Sequence, residues 1–271
     1  MQPGRQSSVI PIRRLARAAE SMPLMDAREL MARTCPATGD VGAAFYFHPD
    51  TVAYGKDTLG LDGFRFYFLG RGGVLGDVDP AVVHAAFGYF NPGLVAKMWT
   101  SAAEKVPPRD AARQYIECGH RLARSVLTDV DGLDAYAAAA GTIINAADDS
   151  ALSLFAGLRA EEVPADPAAA AFHQAMVLRE LRGSAHLVAV AAVGLTSVVA
   201  HQIKRPNDVQ SFGWPEDLAA PTDAQRAALD RAEDITNEML APVFDAVDDA
   251  GADALIAGID AMHAAFYPPK N

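Results

Sequence analysis

The run Leu187–Ala200, "LVAVAAVGLTSVVA", carries no charge over fourteen residues. It is preceded directly by "LRELRGSAH", in which Arg179, Arg182 and His186 are three and four positions apart. At 3.6 residues per turn that spacing puts the three on one helix face. The apolar run that follows is too short for a membrane span, which needs about 18–20 residues. A helix apolar around most of its circumference must be buried on most sides. The chain therefore organises around a helix over about 178–205, bent at Gly183 or Gly194 and closed by Lys204-Arg205-Pro206.

The remaining segments supply helices to surround it. "PPRDAARQYIECGHRLARSVL" opens on prolines and puts Tyr115, Ile116, Gly119, Leu122, Ala123 and Val126 on one side at i, i+3, i+4, i+7 spacing. Asp166-Pro167 supplies an N-cap and an N1 proline to the segment that leads into the apolar run. Thr222-Asp223 caps a long amphipathic stretch, and a last helix is expected from about Asp253 to Phe266. Only "GFRFYFLGRGGVLGDVDP", 63–80, alternates like a strand, and with no second strand to pair with it reads as a short extended segment or an irregular helix. No internal repeat of 20–50 residues is evident. The fold class expected is all-α, a multi-helix bundle around the buried 178–205 helix.

The expected organisation has four parts. Residues 1–24, with four arginines against one glutamate, form a leader that resembles an organellar transit segment or precedes the true start at Met25, and is disordered or not native. Residues 25–205 form the helical core, 206–221 an ordered loop, and 222–271 C-terminal helices packed on the core or on a dimer partner.

A formal charge of −11 argues against non-specific binding to nucleic acid or anionic lipid, so neither a nucleic-acid nor a membrane partner is expected. Cys35 and Cys118 are far apart and form no CxxC, which fits a reducing, cytoplasmic setting rather than a disulfide scaffold or cysteine zinc site. One ExxH occurs, Glu117–His120, but a di-iron bundle needs two such motifs and two further glutamates, so no metal centre is expected. Gly70, Gly72 and Gly76 match GxGxxxG, yet the βαβ units of a dinucleotide fold are missing, and the glycines read as a turn. No GxSxG is present. The sequence names no cofactor.

Two clusters remain as candidates. Arg179, Arg182 and His186 enter a buried interior and must be paired there, because an unpaired buried charge costs several kcal/mol. Guanidiniums suit a carboxylate or phosphate, and His186 suits acid–base work or ligand donation. The same stripe continues to Ser197 and His201. The alternative is structural: arginines bridging helices to an internal carboxylate, with Asp148, Asp149 and Glu117 as partners, and with Glu180 pointing elsewhere. The second cluster is "FYFHPDTVAYG" with "FRFYFLGR", which offers Tyr46, His48, Asp50, Tyr54, Arg65, Tyr67 and Arg71, aromatics with a few polar tips as in small-molecule pockets. Its alternative is an ordinary aromatic core with a helix boundary at His48-Pro49.

The stretches "GLDGFRFYFLGRGGVLGDVDPAVVHAAFGYFNPGLV" and "VLRELRGSAHLVAVAAVGL", with the following Gly213-Trp214, resemble an actinobacterial helix-turn-helix-like family, some of whose members carry the label SalK. The resemblance covers most of residues 30–265. It implies a helical fold with a MarR-like C-terminal helical pair and implies no activity. Only seven residues separate Trp214 from Thr222, too few for a recognition helix and wing, so the winged-helix segment is expected to be lost. The reading that follows is a small-molecule-binding helical protein whose ligand lies beside the 178–200 helix, where the arginines suit an anion. Its binding residues are Arg179, Arg182, His186, Arg71, Tyr67, Arg65, His48, Ser197 and His201. The alternatives are an enzyme with His186 as acid or base, and a degenerate transcriptional regulator or scaffold without DNA binding that dimerises through its C-terminal helices.

Overall fold

The computed structural model describes residues 25–269, so the leader 1–24 lies outside the described residues. Among the described residues there are twelve α-helices and no strand. In chain order they are α1 (Ala27–Ala43), α2 (Pro49–Leu59), α3 (Gly63–Gly72), α4 (Pro80–Phe87), α5 (Pro92–Ala103), α6 (Pro108–Val126), α7 (Leu133–Ala146), α8 (Ser153–Arg159), α9 (Pro167–Ala192), α10 (Ser197–Lys204), α11 (Asp223–Phe244) and α12 (Asp249–Phe266). The chain is an all-α multi-helix bundle. At its centre is α9, packed against α1, α6, α7, α8 and α11.

Local signals explain the helix boundaries. Asp166 accepts from the Ala169 amide with Pro167 at N1, and Thr222 and Gln225 form a reciprocal capping box at the start of α11. His48 caps α2 by accepting from the Asp50 amide, with Pro49 at N1. The apolar faces then meet in one large core that includes Phe45, Phe66, Tyr115, Tyr136 and Phe172. α11 and α12 close over α1, α7 and α9 of the same chain.

The strand-like segment is a regular helix, α3. Asp62 caps it by accepting from the Arg65 amide. Phe66, Tyr67, Phe68 and Leu69 are all buried, so the helix is apolar nearly all round and the apparent alternation came from Arg65 alone. Gly70 allows α3 to lie against α6, since a Cβ there would collide with the Tyr115 ring. The glycines of "GRGGVLG" thus serve helix packing and a 3-10 turn at Gly73–Leu75.

The central apolar run is not one helix. It breaks over residues 193–196, and α9 and α10 meet at 114°. Gly194 takes φ +76° at the break, a conformation L side chains rarely adopt. The bend therefore falls at Gly194 and not at Gly183, which continues the helix. After α10, residues 206–221 form a 3-10 turn and loop that dock on the α4–α5 connection. Phe212 stacks on Phe90 with ring centroids 4.1 Å apart, the Asn91 amide donates to the Phe212 carbonyl (2.9 Å), and Trp214 Nε1 donates to the Tyr89 carbonyl (2.8 Å). No single helix among the described residues is long and apolar enough to cross a membrane.

Candidate functional site

A cavity of about 980 Å³ opens between α1, α3, α9, α10 and α11. On one wall sits Glu180, buried on α9. Arg71 of α3 grips it in bidentate fashion, Nε to Oε1 at 2.9 Å and Nη2 to Oε2 at 2.8 Å. Arg179 Nη1 donates to Oε1 at 2.9 Å, and the Tyr46 hydroxyl donates to the same oxygen at 3.0 Å. Tyr46 comes from the turn after α1, and the Tyr115 hydroxyl donates to its carbonyl at 3.1 Å. The Arg71 guanidinium lies 4.4 Å from the Phe87 ring centroid, and that of Arg179 4.9 Å from Tyr46. Burial alone would raise the Glu180 carboxyl, but Arg71 and Arg179, with hydrogen bonds from Arg71 and Tyr46, outweigh it and hold the pKa down at about 2.

The facing wall is built from α9, α10 and α11. Arg182 donates to Glu233 (3.0 Å) and to Asn237 (2.9 Å), and Lys204 pairs with the same Glu233. His186 Nδ1 lies 3.0 Å from the Thr236 hydroxyl, with Nε2 3.8 Å from Glu233. Burial lowers its pKa, against the pull of Glu233. His201 also faces the cavity, its ring 3.9 Å from that of Phe212. Its Nε2 is buried without a hydrogen-bond partner among the described residues.

Of the residues singled out in the sequence, His48, Tyr67, Arg71, Arg179, Arg182, His186 and His201 line this cavity. Arg65 and Ser197 do not. Arg65 is held by Asp62 and by Ser101 (2.9 Å), and the Ser197 hydroxyl donates to the Gly88 carbonyl (2.8 Å). The internal partner of Arg179 and Arg71 is Glu180, the residue expected to point elsewhere, whereas Arg182 pairs with Glu233. Asp149 instead approaches Arg159, while Glu117 pairs with Arg124 and faces His120. Tyr46 was among the aromatics singled out around His48, whereas Glu233 and Thr236 escaped the sequence reading, because their roles arise from tertiary packing across 50 or more residues.

The geometry at residues 193–196 has a further meaning. Two helices crossing at about 90–120° through a three- or four-residue turn, often with glycine, make a helix-turn-helix unit. α9, the turn with Gly194 and α10 meet that description. A family model described as a helix-turn-helix family matches residues 31–269, and the chain belongs to that family. No curated protein and no solved structure matches the chain. The family assignment points toward a DNA-binding protein and overturns the expectation of no nucleic-acid partner. Net charge describes the far field of the whole molecule, whereas a helix-turn-helix contact is local.

Proposed function

We propose that the chain is a small-molecule-responsive member of the helix-turn-helix family, with the ligand in the cavity between α1, α3, α9, α10 and α11. The observation that carries this reading is the cavity of about 980 Å³ lined by both arms of the corner, and one residue on its open side is Gly183. It sits within α9, where glycine costs about 1 kcal/mol relative to alanine, yet a Cβ there would meet nothing within 4 Å. Neither packing nor a positive φ calls for glycine at this position. Gly183 does line the cavity, as does Gly39 of α1, which also has open space around it. Gly183 is exposed and Gly39 half-buried, so a larger side chain at either position would project into the open side of the cavity.

The cavity is lined by both arms of the corner, Gly183 and His186 on α9 and Ala200 and His201 on α10. A guest that binds one corner angle better than another shifts the population of α10 positions. At about 980 Å³ the space is at the upper end of the range for drug-sized ligands.

The test is native mass spectrometry of the freshly purified full chain, set beside Gly183→Trp and Gly183→Ala. The expected result is an adduct on the wild type that is lost on denaturation and absent from Gly183→Trp. Gly183→Ala should melt higher, by about 0.5–1 kcal/mol, from the helix propensity gained. An adduct that survives in Gly183→Trp lies elsewhere and overturns the reading. A wild type free of adduct, together with no change in any ligand titration on filling the cavity, overturns it as well.

A further inference from the structure

Resting on the cavity reading, we infer that the guest is an amphipathic monocarboxylate with an aromatic body, its carboxylate seated on Arg179. The first support is the division of labour at Glu180. Arg71 spends its Nε and Nη2 on both carboxylate oxygens and its Nη1 on the Tyr67 hydroxyl at 3.2 Å. Arg179 reaches Glu180 and Tyr46 through Nη1 alone. Among the described residues its Nε and Nη2 have no hydrogen-bond partner, and its side chain, 28% exposed, lines the cavity. Two guanidiniums on one carboxylate leave one positive charge over, and Arg179 carries the unused donors.

The second support is the charge of the whole wall. Five cationic side chains line the cavity against four carboxylates. The arginines and lysine of the lining thus outnumber its carboxylates by one inside a chain of −11, and burial pushes the pKa values of His186 and His201 down. One anionic group neutralises that excess. A dianion would leave a charge uncompensated in a partly desolvated space, and a cation would add to the excess.

The third support is the aromatic lining that runs from Tyr46, under Arg179, through Tyr67. Phe47 and Phe64 lie with ring centroids 5.5 Å apart and are 50% and 40% exposed. Phe47 also stacks on Tyr67 at 5.2 Å, and all three face the cavity. Large aromatic side chains left half in water at a cavity wall are contact surface for a flat apolar body. A planar guanidinium with two free N–H groups completes the match, since it holds a carboxylate more strongly than it holds a neutral hydroxyl.

The experiment is a fluorescence titration of the full chain at pH 7.5 with pyrene-1-butyrate, pyrene-1-butanol and pyrene-1-butylammonium, which share a body and differ in charge. On the wild type the butyrate should bind about tenfold tighter than the butanol, with the ammonium weakest. Arg179→Gln should weaken the butyrate by about tenfold while changing the butanol less than about twofold. Equal affinity for butyrate and butanol overturns the inference and leaves the cavity reading standing, as does an Arg179→Gln that weakens both alike. Failure of all three to bind, with no effect of Gly183→Trp, overturns the cavity reading itself. The wild-type series decides the question even where the variant does not fold.

Discussion

The two charged walls of the cavity use one device, a carboxylate held between two cations, at different depths. Glu180 is 4% exposed in its side chain and is met by Arg71, Arg179 and the Tyr46 hydroxyl. Glu233 is 30% exposed and is met by Arg182, Lys204 and, at 3.8 Å, His186. In the first case the ion pair replaces water that cannot reach the group. In the second, water still competes with every partner. Identical chemistry therefore yields a structural keystone on one wall and an adjustable, nearly neutral contact on the other.

The largest effect should come from breaking the deep wall. Glu180→Gln leaves Arg71, itself only 14% exposed, beside Arg179 without a counter-charge. Removing one partner of a buried pair costs about 3–5 kcal/mol, read as a lower denaturant midpoint in urea. Because the loss reflects the stranded charge more than the bond, the double variant Arg71→Met/Glu180→Leu should recover at least about half of it. A Glu180→Gln protein as stable as the wild type would place Glu180 with Glu233, among the water-screened pairs.

Acid separates the walls more finely. The folded pKa of Glu180, about 2, lies below its ordinary 4.5. For a depressed carboxyl the stabilisation is complete above about pH 4.5 and is lost as pH falls toward 2, on the order of 3 kcal/mol in all. Glu233 is lowered too, burial opposing and Lys204, His186 and Arg182 prevailing, but it is better solvated and should contribute less. Above this window His173 acts, its pKa depressed to about 4 by burial and by His120. That part of the stability is present above about pH 6.5 and declines as pH drops to 4. Urea melts at stepped pH should show Glu180→Gln flattening only the lower window and His173→Phe only the upper one.

The same contrast of depth explains what could be read from the sequence. The all-α class, the caps at Asp166 and Thr222, and the face shared by Arg179, Arg182 and His186 follow from local spacing, and seven of the nine nominated binding residues line one cavity. Glu180 was misplaced because neighbours at i and i+1 do not share a helix face. Its carboxylate instead meets α3 and the turn after α1, while Arg179 is long enough to reach it from the adjacent position. α3 was ambiguous because five aromatic-rich residues cannot separate a period of 2 from one of 3.6. The corner at Gly194 was visible as one of two bend points, yet only the fold shows that it turns the chain through 114°. Glu233 and Thr236 sit on α11, about 50 residues from their α9 partners, and no local pattern announces such a pairing.

The smallest effect on stability belongs to the shallow wall, where it is also the most diagnostic of function. Glu233→Gln should change the unfolding free energy by no more than about 1 kcal/mol, and less in 1 M salt, because Arg182 and Lys204 remain hydrated when it goes. It does, however, remove one of the four carboxylates that offset the cations of the cavity. The two walls then cease to balance, and the cavity gains a second unit of positive charge. Affinity for pyrene-1-butyrate should rise by about two- to threefold at low ionic strength while pyrene-1-butanol is unaffected, the opposite direction to Arg179→Gln. A rise that persists at 1 M salt would mean that Arg182, once released, contacts the carboxylate directly, and the anion would then be assigned to the shallow wall instead of the deep one.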